Sequence, residues 1–103
     1  MEKFTFTLKS VSAKSRRTTL CGVVSSGNLE VLVEPIGMED ACEIEVSTSA
    51  HGFRDIWEAV LNDFAKEHEA GGLRLSINDA GATPAVVSLR LSQAFEIASG
   101  DAP

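Results

Sequence analysis

Residues 18–34 read TTLCGVVSSGNLEVLVE, and this stretch indicates a β-rich fold. Two runs of apolar and β-branched residues, 18–24 and 29–34, flank a short tip, SSGN, at 25–28. Glycine and asparagine tolerate the positive φ angles that tight hairpin turns require. The pattern therefore predicts a β-hairpin with strands over 18–24 and 29–34 and its turn at 25–28.

Alternating apolar residues predict three further strands outside this hairpin. A period of two places the apolar side chains of a strand on one face of its sheet. This alternation occurs at Phe4, Phe6 and Leu8, at Cys42, Ile44 and Val46, and at Leu73, Leu75 and Ile77. Pro35 and Gly37 mark a turn ahead of the second of these segments.

Helical spacing of apolar residues occurs in two other segments. In the first, the predicted buried face comprises Phe53, Ile56, Trp57, Val60, Leu61, Phe64 and His68. Gly71 and Gly72 predict that this helix ends just before them. The second helix begins at Pro84 with Thr83 as its N-cap. Its predicted buried face comprises Val87, Leu91, Ala94, Phe95 and Ala98.

The order of elements is four strands, a helix, a strand and a helix. It predicts an α+β, two-layer fold: a mostly antiparallel sheet of about five strands with two helices packed on one face. At 103 residues and 11.0 kDa the chain has room for one hydrophobic core. We therefore predict a single domain over residues 1–103, of which 99–103 form a flexible tail.

The charge and the apolar runs exclude several classes of function. With 15 acidic and 9 basic residues the net charge is −6, which disfavours nucleic-acid binding. The basic cluster at 14–17, KSRR, is either a solvated loop or a local contact for an anionic group. The apolar runs fall far short of the roughly 20 residues that span a membrane. The first residues lack the pattern of a secretory signal, so we expect a cytoplasmic protein without direct membrane insertion.

Residue types that support catalysis are sparse and badly spaced. Cys21 and Cys42 lie in predicted strands without CxxC spacing, which indicates reduced core thiols. His51 and His68 flank the first helix without the spacing of metal ligands, so no metal site is predicted. Ser26 lacks the flanking glycines of a G-x-S-x-G elbow. A hydrolase that uses Ser26 with either histidine is therefore a poor alternative.

Ser26 is better suited to covalent modification by another enzyme. A serine at a hairpin tip with small neighbours allows a second active site to approach closely. On the turn residues alone, however, a plain turn is the favoured interpretation, since serine and glycine are ordinary turn residues. The junction from Asp79 to Pro84 also has two interpretations: it either offers free N–H groups to a phosphate, or it only caps the second helix while Gly81 turns the chain.

Two separated segments resemble one known family. Residues 21–32, CGVVSSGNLEVL, with Pro35 after them, resemble the prosthetic-group attachment region of the acyl carrier subunit of malonate decarboxylase. Residues 78–84, NDAGATP, and the sequence that follows through 96 resemble the strand-to-helix junction and last helix of that family. The resemblance covers nearly the whole chain. It implies a non-catalytic carrier subunit of a multi-subunit malonate decarboxylase.

The resemblance also implies a cofactor and its attachment residue. A 2'-(5''-phosphoribosyl)-3'-dephospho-coenzyme A group would be attached to Ser26 through a phosphodiester and would carry acetyl and malonyl thioesters; Ser25 is the adjacent alternative. In the family a glycine and an acidic residue follow the serine, and here these positions hold Gly27 and Asn28. The candidates for supporting the loop are Gly27, Asn28, Asp79 and Gly81.

The implied partners are the acyl-carrier transferase and decarboxylase subunits, a malonyl transferase and the transferase that attaches the prosthetic group. Two alternatives remain open. The carrier subunit of citrate lyase uses the same type of group but lacks the pattern ATP found here at 82–84. A non-covalent adaptor would instead dock a partner through its sheet and leave Ser26 unmodified.

Overall fold

The computed structural model describes residues 1–12, 17–37 and 40–99. These residues form five strands and two helices in the predicted order. The elements are β1 (Glu2–Lys9), β2 (Thr19–Gly22), β3 (Leu29–Pro35), β4 (Ala41–Thr48), α1 (Arg54–Glu67), β5 (Leu73–Asp79) and α2 (Pro84–Ser99). Most of the basic cluster at 14–17 and the end of the predicted tail, 100–103, lie outside the described residues.

The strands form one mixed sheet in the order β1-β4-β5-β3-β2. Three neighbouring pairs are antiparallel, and β2 with β3 is the predicted hairpin. The exception is the central pair, β4 and β5, which is parallel because α1 carries the chain back between them. The predicted α+β class and the mostly antiparallel sheet are confirmed.

Both helices cover the same face of the sheet, as predicted. The helix α2 packs against β2 and β3, while α1 packs against α2 and β1. Alternate residues of the strands supply the other side of this core. The fully buried strand residues include Leu29, Val31, Ile44, Leu75 and Ile77. The opposite face of the sheet is mainly polar and partly exposed, as a two-layer fold requires, with Leu20 and Leu32 as apolar exceptions.

The predicted buried face of α1 is wrong at its start. The helix begins at Arg54, so Phe53 precedes its first turn and remains 47% exposed. Ile56 is 45% exposed because it lies beside a cavity rather than against the sheet. The buried stripe of the helix instead runs from Trp57 through Leu61 and Phe64.

The strand predicted over 18–24 is shorter than expected. It ends at Gly22, where φ is +90° and a Cβ atom would collide with the carbonyl oxygen of Leu29. Val23 and Val24 therefore lie outside the strand, and their side chains are 54% and 50% exposed. None of the helices in the described part of the chain is long and apolar enough to cross a membrane.

Candidate functional site

The sheet brings distant parts of the chain together at one edge. Because β4 and β5 are parallel, both end there, and Thr48 lies opposite Asp79. The antiparallel neighbour β3 starts at the same edge, with Leu29 opposite Asp79. The hairpin tip, the loop after β4 and the loop after β5 consequently adjoin one another.

The tip of the hairpin is exposed and uncrowded. The side chains of Ser25 and Ser26 are both solvent-exposed. The N–H of Asn28 donates to the carbonyl oxygen of Ser25 at 2.9 Å, which closes the turn. Gly27 has a φ of +75°, and no heavy atom lies within 4 Å of the position that its Cβ would occupy. A modifying enzyme can therefore approach the hydroxyl of Ser26 closely.

Two backbone hydrogen bonds join this tip to the loop after β5. The N–H of Gly27 donates to the carbonyl oxygen of Ala80, and the N–H of Ala80 donates to the carbonyl oxygen of Asn28, each at 2.9 Å. The two segments singled out in the sequence, 21–32 and 78–84, thus form one structural unit. Ser26, Gly27, Asn28, Asp79 and Gly81 all lie within it.

Asp79 fixes the shape of the loop. Its side chain is buried, and its Oδ2 atom accepts a hydrogen bond from the hydroxyl of Thr48 at 2.8 Å. The N–H groups of Gly81 and Ala82 also donate to the carboxylate, at 3.2 and 2.9 Å. These amides are thereby already bonded within the chain, which favours the capping interpretation of the junction over phosphate binding. The Oγ1 atom of Thr83 accepts from the N–H of Val86 at 3.3 Å, as predicted for an N-cap.

Asn28 is held by Arg90, a residue that the sequence interpretation did not assign to the site. The Nη2 atom of Arg90 donates to Asn28 Oδ1 at 3.1 Å, and Nη1 donates to Gln93 Oε1 at 2.8 Å. Both of these partners are neutral amides. The pair is separated by 62 positions, so local pattern held no signal for it. Its only trace in the sequence was that Arg90 falls within the second resembling segment.

An apolar cavity of about 290 Å³ adjoins the same loop. It lies between the starts of α1 and α2 and the loops that follow β4 and β5. Its apolar lining includes Phe53, Ile56, Trp57, Ala82 and Val87, and Asp79 and Gly81 also border it. The exposed Phe53 and Ile56 are explained by this cavity. Helical periodicity could not reveal it, since the space exists only once both helices are in place.

The histidines and cysteines lie in structural positions. His51 is in an exposed loop, and the ring of His68 packs between Phe64 and Phe95 with 4.8 Å between ring centroids in each pair. Both cysteines are unpaired thiols. Burial raises the pKa of Cys42 from 9.0 to about 11. The described residues contain no cluster of three or more His, Cys, Asp or Glu that could hold a metal ion.

Comparisons with known proteins connect this geometry to one family. The model of the malonate decarboxylase delta subunit (MdcD), an acyl carrier protein family, matches residues 16–98. The malonate decarboxylase acyl carrier protein of Acinetobacter calcoaceticus is 52% identical over 102 residues, which cover 98% of this chain and 100% of that protein. The protein of the same name from Xanthomonas euvesicatoria pv. vesicatoria is 63% identical over 81 residues, which cover 79% and 77% of the two chains.

A solved structure supports the same connection. One chain in the crystal structure of a Pseudomonas malonate decarboxylase hetero-tetramer in complex with malonate is 38% identical to this chain and superposes with a TM-score of 0.85. The match covers 94% of this chain and 98% of that one. At this identity and coverage, the similarity extends over the sheet, both helices and the junction between them.

Proposed function

This chain belongs to the malonate decarboxylase delta subunit family of acyl carrier proteins, and from that premise we propose that Ser26 carries the phosphoribosyl-dephospho-coenzyme A group. The observation that carries the proposal is the position of Ser26. Its side chain is exposed at the hairpin tip, and the next residue is bonded directly to the loop of the second resembling segment. Ser25 is the alternative attachment residue.

The residues around Ser26 fit a large group joined through a phosphodiester. Open space at the Cβ positions of Gly27 and Gly81 leaves room for the group on both sides of the joined loops. Arg90 provides a positive charge at the base of the tip, and both of its recorded partners in the described chain are neutral. Its Nε atom is buried without a hydrogen-bond partner among the described residues. These contacts do not neutralise the positive charge of Arg90, so the guanidinium can attract a nearby phosphate.

The chain itself acts as a tether in this proposal. When bound, the group supplies a thiol that holds acetyl or malonyl as a thioester, which stabilises the carbanion-like state as carbon dioxide leaves malonyl. The two hydrogen bonds between the tip and Ala80 fix the attachment point to the rigid sheet. Tethering raises the effective concentration of the acyl group at each partner active site. Acid and base groups come from those partners.

The partners that we propose follow from the family. They are the acyl-carrier transferase and decarboxylase subunits, the malonyl transferase, and the transferase that loads the prosthetic group. The similar Pseudomonas chain belongs to a malonate decarboxylase hetero-tetramer, which supports assembly with other subunits of that enzyme. Two free thiols suit a reducing compartment, and we propose that the complex acts in the cytoplasm.

Mass spectrometry tests the attachment. The chain is produced together with its partner subunits and the prosthetic-group transferase, and its intact mass is measured before peptides across residues 18–34 are mapped. We expect one phosphoribosyl-dephospho-coenzyme A per chain on Ser26, absent from Ser26→Ala and present on the matched control Ser25→Ala. The reverse result for the two variants would move the site to Ser25.

The remaining candidate from another class is a non-covalent adaptor. An unmodified chain in the presence of a demonstrably active transferase would refute the carrier proposal and favour this adaptor. The comparisons disfavour the alternative of a citrate lyase carrier subunit, because the matching family model and the similar proteins described above all belong to malonate decarboxylase.

A further inference from the structure

The cavity between α1 and α2 has no role in the function proposed so far. It is about 290 Å³ in volume, and its walls are mainly apolar side chains. Two of these, Phe53 and Ile56, leave nearly half of their surface exposed at its border. An opening of this kind leaves apolar surface in contact with water, so an apolar ligand that filled it would be stabilised.

The cavity lies within reach of the attachment residue. Gly27, which follows Ser26, donates a hydrogen bond to Ala80, and Ala80 is adjacent to Gly81 at the cavity border. Summing standard bond lengths along this path bounds the distance between the Cα atoms of Ser26 and Gly81 at about 10 Å. A coenzyme A-type arm is long and flexible enough to fold back over that distance.

The lining of the cavity is chemically suited to only one of the two acyl groups. A methyl group, as in acetyl, suits an apolar wall, whereas the carboxylate of malonyl would lose its hydration there. Asp79 is the charged group among the described residues that border the cavity, and it would repel a second carboxylate. The nearby amides of Gly81 and Ala82 already donate to Asp79, so they are not free to solvate malonyl.

We propose that this cavity binds the acetyl group of the thioester carried on Ser26 between reaction cycles, and that it does not admit the malonyl group. The inference rests on the function proposed above. In this arrangement the acetyl form is shielded from water between reaction cycles. The malonyl form stays extended and available to the decarboxylase subunits.

The single tryptophan of the chain provides a direct readout. Trp57 lines the cavity, so its fluorescence should respond when the cavity is filled. The holo protein is compared in its thiol, acetyl and malonyl forms. We expect a blue-shifted emission for the acetyl form alone. We also expect hydroxylamine to cleave the acetyl thioester roughly fivefold more slowly than it cleaves free acetyl-coenzyme A, which corresponds to about 80% occupancy.

A charge at the cavity mouth should abolish both effects. Ile56→Asp introduces that charge at a half-exposed position of α1, where folding should tolerate it. The matched control is Leu89→Asp, which changes a 54% exposed residue of α2 that does not line the cavity. The control should behave as the unaltered protein does. Circular dichroism establishes that both variants are folded.

Three results would overturn the inference. Unchanged Trp57 emission and an unprotected acetyl thioester in the loaded protein would show that the cavity does not bind the acetyl group. Equal protection of the malonyl form would refute the selectivity. Equal loss of protection in Ile56→Asp and Leu89→Asp would show that protection does not depend on the cavity. None of these three results bears on the attachment to Ser26, because the mass of the whole protein reports the loading of Ser26 independently.

Discussion

At the scale of single residues, the side chain of Arg90 reaches across the fold to Asn28 at the base of the hairpin tip. The pair is a charged donor and a neutral acceptor, 3.1 Å apart and partly buried. The resemblance implies an acidic residue where this chain has Asn28. A carboxylate at this position would form an ion pair with Arg90, in place of the hydrogen bond that the amide of Asn28 accepts.

We expect Asn28→Asp to stabilise the protein by about 0.5–1 kcal/mol at low salt, because the new carboxylate forms an ion pair with Arg90. Urea unfolding measures the change in the free energy of unfolding. In an Arg90→Met background the same substitution should give no gain. A gain that is equal in both backgrounds would show that the effect does not pass through Arg90.

Asp79→Asn should be strongly destabilising. The carboxylate accepts from the hydroxyl of Thr48 and from two backbone N–H groups, and an amide nitrogen cannot accept a hydrogen bond. We expect a loss of about 2–3 kcal/mol in the free energy of unfolding. The control is Asp63→Asn, at an exposed position of α1. Similar losses for the two variants would contradict this role of Asp79.

The two thiols should differ in reactivity. Because burial holds the pKa of Cys42 at about 11, its thiolate is scarce at neutral pH, whereas Cys21 is only partly buried. In the protein before it is loaded, a thiol reagent should modify Cys21 quickly and Cys42 only on unfolding. Rapid reaction of folded Cys21→Ser would disprove the prediction.

The raised pKa of Cys42 also sets a pH dependence of stability. Below pH 9 the thiol is protonated in both the folded and the unfolded chain, so its full contribution to the free energy of unfolding is present. As pH rises from 9.0 to about 11, the unfolded chain ionises first and the folded state loses stability. Cys42→Ala should flatten this part of the profile, measured as the free energy of unfolding against pH.

At the scale of elements, Ser10 fastens the end of β1 to the end of α1. Its buried hydroxyl lies 2.8 Å from the carbonyl oxygens of Ala65 and His68, to which it can donate, and it accepts from the N–H of Ala70 at 3.0 Å. The adjacent Gly71 leaves no space for a Cβ atom beside the carbonyl oxygen of Ser10. The strand and the helix end are therefore held in close contact.

Ser10→Ala should lower the free energy of unfolding by about 1–3 kcal/mol, because the carbonyl oxygens of Ala65 and His68 lose a buried donor. The N–H of Ala70 then keeps only the carbonyl oxygen of His68 as its acceptor. Denaturant unfolding is the measurement. Ser12→Ala is the matched control, since that hydroxyl bonds to Asp40 at the surface. It should cost much less, and equal losses would rule out burial as the reason.

At the scale of the whole molecule, the parallel pairing of β4 with β5 creates the site. It places the ends of both strands beside the start of β3, so the hairpin tip and the loop that leads into α2 meet. Ser26 thus lies on a loop that the sheet holds in place, and its side chain is exposed. Function and folding are largely separate in such an arrangement.

That separation can be measured with Ser26→Ala. The side chain is exposed, so we expect the free energy of unfolding to change by less than about 0.5 kcal/mol. Loading with the prosthetic group should nevertheless be lost. A large loss of stability in the unloaded protein would contradict the exposed position of Ser26. Loss of loading could then result from unfolding and would no longer identify Ser26 as the modification site.

Local sequence was enough to predict the hairpin, the other strands, both helices and the Thr83 cap. The periods of two and 3.6 residues are properties of short segments, and turn residues act on their own backbone. The resemblance of two segments indicated the family and the candidate Ser26. Neither source predicted the early end of β2 at Gly22, where φ is +90° and the carbonyl oxygen of Leu29 in the neighbouring strand leaves no room for a Cβ atom.

Tertiary structure decided the rest: which strands are neighbours, that the central pair is parallel, that Arg90 meets Asn28, and that Ile56 borders a cavity. Each of these depends on residues far apart in the chain, as with the 62 positions between Arg90 and Asn28. A helical pattern shows which side chains are apolar but not how far the next element covers them. For that reason, spacing alone predicts Ile56 in the core, although packing leaves it at the mouth of a cavity.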